Sequence, residues 1–159
     1  MNNMVEEHIK NKYKHYKKLY KLPALEKLDS EFELSTIERD DLLLSDIRRK
    51  ISEKIDFFCE IIENSLQPDT ASIASMHECK FLEDEEKEKL YMTYKKLMLM
   101  NKSALLLGIH STEEEEATFI NEAFKNLPEL KQHILTHARK MKDTWVNHTD
   151  IQEELGYFG

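Results

Sequence analysis

Only six of the 159 residues are natural chain-breakers, three glycines and three prolines. A many-stranded β-protein needs a tight turn every few residues, and such turns draw heavily on glycine and proline. So few of them leave long helices as the economical way to fold this chain. The same scarcity excludes phosphate cradles, whose glycines must cluster in short order. It also excludes collagen-like and linker-type chains. The length fits one domain with short tails.

Apolar periodicity then places the helices. Val5, Ile9, Tyr13, Tyr16 and Tyr20 recur every three or four residues and predict a helix over residues 4–21. Pro23 ends it, and Leu25, Leu28 and Phe32 mark a short second helix over 24–33. The strongest signal spans 37–66, with Leu44, Ile47, Ile51, Ile55, Phe58, Ile62 and Leu66 on one face. Ser35 or Thr36 would cap it, with Glu38 reaching back. Residues 67–80 lose the period and read as a loop with one helical turn at most. Residues 83–108 are helical again. Leu97 to Met100 is apolar all round, which suggests a central buried helix, and Gly108 is placed to stop it.

Ser111 or Thr112 caps the next helix, Glu113 to Glu116 fill its first turn, and Pro128 opens a fifth helix carrying Leu130, Ile134, Met141 and Trp145 inward. The expected fold is all-α, an irregular and mostly antiparallel bundle of four to five main helices. The expected core is Leu44, Ile47, Ile51, Ile55, Phe58, Ile62, Leu90, Tyr94, Leu97, Met98, Leu105, Ile120, Phe124, Ile134, Met141 and Trp145. Residues 1–147 read as a single helical domain and 148–159 as a C-terminal tail.

Charge is unevenly distributed. Residues 1–22 hold six lysines and two glutamates, a net +4 within a chain of net -8, which leaves -12 for the rest. Lys10, Lys14, Lys17, Lys18 and Lys21 lie about 100° round from the tyrosine stripe. Lysines so spaced would neutralise successive phosphates, which raises nucleic acid as a partner. The plainer expectation is that the tyrosines pack inward and the lysines are the solvated side. No apolar run approaches a membrane span, the first residues are polar, and two cysteines make no disulfide framework. A cytoplasmic, reducing compartment is therefore expected, with no membrane partner.

Three constellations bear on chemistry. His133 and His137 stand four apart on one helical face with Glu129 four before them, a spacing at which two histidines can share a zinc ion. No further ligand is marked, and a hydrogen-bonded core histidine is the commoner fate of His137. His77-Glu78-Cys79 offers a thiol near an imidazole in the irregular segment, without an orienting carboxylate or amide. No cofactor is implied, and no catalytic set is complete. At the C-terminus, Gln152-Glu153-Glu154-Leu155-Gly156-Tyr157-Phe158 resembles a sliding-clamp-interacting peptide, with Gln152, Leu155, Tyr157 and Phe158 in the contacting roles. Only Gly156 separates the aliphatic residue from the aromatic pair, where that family has two spacers. The resemblance implies a tail whose aliphatic and aromatic side chains plug an apolar pocket of a partner protein.

The function expected from these features is a non-enzymatic interaction or adaptor protein that docks a protein partner through a helix face or its tail. A nucleic-acid-associated protein using the lysine stripe and a metal-binding bundle around His133 and His137 are the alternatives. The sequence leaves the oligomeric state open.

Overall fold

The computed structural model describes residues 2–39 and 41–147. Every regular element among them is helical: α1 (Asn2–Tyr20), α2 (Leu25–Phe32), a 3-10 turn (Leu34–Thr36), α3 (Leu43–Leu66), α4 (Ile73–Cys79), α5 (Asp84–Ile109) and α6 (Glu113–Asn147). The all-α expectation is met. The described residues divide into two compact units, 2–57 with 98–128 and 58–97 with 129–147. The helices α3, α5 and α6 each contribute a segment to both.

In the first unit, α1 and α2 end in the same way. Lys21 and Glu33 both adopt the left-handed conformation, with φ of 54° and 57°. Glu33 closes α2 by donating its backbone N–H to Asp29 O at 2.8 Å. Side chains strain this conformation, so each cap depends on the contacts of its neighbours to hold it. After Lys21, Leu22 is buried, and Tyr13 donates its hydroxyl to Pro23 O at 2.6 Å. After Glu33 comes the 3-10 turn, so Ser35 and Thr36 do not cap α3. Thr36 Oγ1 turns back to donate to Glu33 O at 2.8 Å, and α3 begins only at Leu43.

From there the apolar stripe behaves as its spacing requires. Leu44, Ile47, Ile51 and Ile55 are all buried. Arg48 stands four residues after Leu44 and three before Ile51, inside that stripe, and it is buried too. Its Nε donates to Glu116 Oε2 at 2.8 Å, and its other guanidinium arm donates to Ala104 O at 3.3 Å. Ser45 Oγ at 3.0 Å and Ser111 Oγ at 2.8 Å donate to the second carboxylate oxygen of Glu116. This ion pair joins α3, α5 and α6 within the unit. Asp56 accepts from Asn101 Nδ2 at 2.6 Å, while Arg48 meets Ala104, so α3 and α5 run antiparallel here.

Thr112 caps α6 in a reciprocal box. Its Oγ1 accepts from Glu115 N at 3.2 Å, and its N–H donates to Glu115 Oε2 at 2.8 Å. Ala117, Ile120, Ala123 and Leu127 then face inward. Pro128 does not start a new helix. It lies inside the continuous α6, on the exposed side, and withholds only the donor that would have met Phe124 O.

In the second unit the core is Phe58, Ile62, Leu90, Leu97, Leu130, Ile134 and Met141. Lys140 bonds Glu86, and His133 meets Thr93, so α5 and α6 run antiparallel. The segment expected to be a loop holds α4, capped by Ser72, whose Oγ accepts from Ser75 N at 3.2 Å. A helix this short carries too few turns for its apolar period to register.

Two members of the expected core face solvent. Leu105 and Trp145 are exposed, and Tyr94, Met98 and Phe124 are half-buried. The stretch from Leu97 to Met100 is not buried all round either, because Leu97 is inside and Leu99 outside. Gly108 continues α5 rather than stopping it, and a Cβ there would meet Arg48 Nη1 at 3.4 Å, ordinary contact.

Truncating one partner of the buried pair strands the other charge. Arg48→Ala and Glu116→Ala should each lower the unfolding free energy by about 3–5 kcal/mol, read from urea denaturation. Replacing both with apolar residues of similar volume should lose much less. Equal loss in the single and double variants would show that the pair is not the joint described here.

Candidate functional site

The basic face of α1 is built as the plainer expectation held. Tyr13 and Tyr16 are buried and Tyr20 is half-buried, while Lys10, Lys14, Lys17, Lys18 and Lys21 are all exposed. Tyr16 donates its hydroxyl to Glu113 Oε1 at 2.8 Å, and Tyr20 reaches Glu113 Oε2 at 3.5 Å. Their rings stack at 6.2 Å between centroids. Tyr13 and Tyr16 are therefore occupied with packing. Lys10 pairs with Glu6 at 2.7 Å. Glu113, which reads in sequence as one member of a solvated acidic run, is the acceptor that fixes the end of α1. Burial, aided by that carboxylate, pushes the Tyr16 phenol up to about 12. A hydrogen bond to Glu63 does the same to Tyr94 in the second unit, again to about 12.

The metal candidates do not converge. His137 is 7% exposed and its Nε2 lies 2.6 Å from Ser65 Oγ. His133 is exposed, with Nδ1 at 3.1 Å from Thr93 Oγ1. Thr93 Oγ1 already donates to Lys89 O at 3.1 Å, so it accepts from the imidazole. Glu129 is exposed and absent from the cleft that both histidines line. Among the described residues no three His, Cys, Asp or Glu side chains gather to hold a metal ion.

The thiol and imidazole of the irregular segment, which holds α4, each bond a backbone carbonyl. His77 is 2% exposed, with Nε2 at 3.3 Å from Thr144 O. Cys79 Sγ donates to Met76 O at 3.3 Å. The docking residues Gln152, Leu155, Tyr157 and Phe158 lie outside the described residues.

Two further surfaces are not among the sequence expectations. The first is a cleft of about 670 Å³ within the second unit, between α5 and α6. Its floor includes Leu90, Thr93 and His137, and its rim carries Glu88, Lys96 and Lys140. Lys140 is held by Glu86 from across the cleft. Its size is that of a small-ligand site, but its charges are mixed in sign and select no ligand class. The second surface is the outer side of α5. Leu97 and Ala104, seven residues apart, define the buried side, whereas Leu99 and Leu106 repeat the spacing two residues on, some 200° round. Within the first unit, Leu99, Leu105, Leu106 and Ile109 are exposed to between 56% and 77%. The all-round apolar character of α5 is the legible signal, and it marks two apolar faces rather than one buried helix.

No family model matches this chain, and neither does any curated protein or solved structure. No described helix is long and apolar enough to cross a membrane.

The phenols supply a test of this packing. A phenol held above its ordinary value near 10 binds its proton more tightly in the folded protein. Its contribution is therefore complete below about pH 10 and is lost as pH rises from there through about 12. In an ultraviolet difference titration, Tyr16 and Tyr94 should stay protonated at about pH 11 and ionise with alkaline unfolding. Tyr16→Phe and Tyr94→Phe should each remove one late-ionising phenol. All tyrosines ionising together near 10 would contradict the arrangement.

Proposed function

We propose that this is a non-enzymatic interaction protein that docks an apolar helix of a protein partner through the outer face of α5. The observation that carries this reading is the run of Leu99, Leu105, Leu106 and Ile109 on one side of a single helix, exposed to water. Soluble monomers rarely leave contiguous apolar surface of this kind without use. Lys102 lies within the run and gives it one charge with which to orient a partner. The recognition mode is helix against helix, read as anchors at three-, four- and seven-residue spacings. The tail residues Gln152, Leu155, Tyr157 and Phe158 are the other candidate contact.

A photo-crosslinking side chain at Leu106 tests the face directly. It should trap a discrete partner in cells, and the same group at Glu53 should not. Leu99→Asp with Leu106→Asp should abolish binding to the purified partner by at least tenfold. It should also leave the melting temperature nearly unchanged, since substitutions at exposed sites shift stability by only about 0.5 kcal/mol. Retained binding in that variant, with loss on deleting residues 150–159, would move the contact to the tail.

The exposed lysines of α1 support a second reading, binding to nucleic acid. Oligonucleotide anisotropy should then show affinity falling with a logarithmic salt slope of about -0.7 per phosphate neutralised on a single strand. Lys14→Gln with Lys17→Gln should flatten that slope by more than one. No binding at low salt removes this reading.

A further inference from the structure

Lys102 is the only charged residue between Met98 and Ile109. It stands three residues after Leu99 and four before Leu106, so the three share one side of α5. All three are exposed. Among the described residues the Lys102 ammonium makes no hydrogen bond or ion pair. Three carboxylates of neighbouring elements are engaged elsewhere. Asp56 of α3 accepts from Asn101, Glu116 of α6 holds Arg48, and Glu115 caps the N–H of Thr112.

A cation in the middle of an apolar stripe is poorly matched to a wholly apolar partner, which would strip its water and return no hydrogen bond. The stripe asks for apolar, acidic and apolar side chains at the same spacing, three and then four. Residues 148–159 lie outside the described part of the structure, and their sequence carries that pattern. Ile151, Glu154 and Phe158 follow one another at three and four. The segment also holds Asp150 and Glu153, and no lysine or arginine. We propose, resting on the reading of α5 as a docking face, that the partner is a second copy of this chain, whose tail seats Ile151, Glu154 and Phe158 on Leu99, Lys102 and Leu106.

One register satisfies all three positions. With the tail parallel to α5, Ile151 meets Leu99, Glu154 meets Lys102 and Phe158 meets Leu106. The antiparallel register sets Leu155 against the ammonium and Glu154 opposite Ser103. A polar pair within an apolar seam fixes register and direction in this way, at some cost in stability. Two α5 faces cannot satisfy each other, because neither holds a carboxylate between Met98 and Ile109. Two apolar anchors and one ion pair make a small interface, so the complex forms and dissociates with concentration.

Light scattering of the full chain should show a weight-average mass that rises with concentration above the 18.9 kDa of one copy. Lys102→Glu and Glu154→Lys should each weaken association at least about tenfold, since like charges then oppose across the seam. Mixing the two variants should restore it, because each offers the charge that the other has lost. A mass that stays at one copy at every concentration overturns the proposal, and so does a mixture that associates no better than its components. A tail seated on its own chain would give the first of these results. The photo-crosslinking group at Leu106 separates the second copy from the docking face on which it rests. Capture of a second copy supports both. Capture of a different protein overturns the second copy and keeps the docking face, and capture of nothing overturns both.

Discussion

The carboxylate of Glu116 is where α3, α5 and α6 converge in the first unit. It takes a guanidinium from α3 on one oxygen and hydroxyls from Ser45 and Ser111 on the other, while the same guanidinium reaches Ala104 O of α5. An ion pair withdrawn from water gains little net stability over a well-packed apolar pair, because desolvation cancels most of the attraction. Its effect lies in what it forbids. Any sliding of α3, α5 or α6 past one another in this unit would separate buried charges and leave hydroxyls without acceptors. Aliphatic residues alone would tolerate such a slip. The position of Glu116 in the first turn of α6 helps, since the helix N-terminus favours a negative charge there. The cap at Thr112 fixes where that turn begins.

The second unit solves the same problem with different chemistry. Where the first unit uses permanent charges, this one ties α6 to α3, α4 and α5 through imidazoles.

How far the fold is legible depends on residue type. The α3 stripe is legible because leucine and isoleucine at three- and four-residue spacings admit one reading, and from Leu44 to Ile62 its members are buried. Arg48 escapes such a reading because residue type outvotes position, although it lies only about 40° round from Leu44 at the edge of the stripe. Glu116 escapes it for the same reason, one residue before Ala117. The size of Trp145 argues for the core. In fact the indole packs against the His77 ring, tilted by 33°, and its N–H reaches Glu78, which satisfies an amphipathic ring at a boundary. Pro128 misleads because the φ that suits the first position of a helix also suits an interior one. His137 is legible as a hydrogen-bonded core histidine, but the partners of the histidines carry no sequence signal, being a serine, a threonine and a backbone carbonyl far along the chain.

The outer face of α5 poses a different question. A helix with apolar residues all round has two physical explanations, a central position in a bundle or two separate contacts on opposite sides. Composition cannot separate them, but burial does. Leu90, Leu97 and Ala104 repeat every seven residues on the inner side, and Leu99 and Leu106 repeat at the same interval outside. Seven residues is nearly two helical turns, so each set holds one face over that distance. The inner set is sufficient to pack the helix. The outer set lies mostly in water, and leucine in water is a liability for solubility. Neither helix propensity nor charge pattern calls for leucine at these positions, because lysine and glutamate form helices about as well. An external contact is the role we propose for these four large aliphatic side chains, which lie exposed on one side of α5 in the first unit.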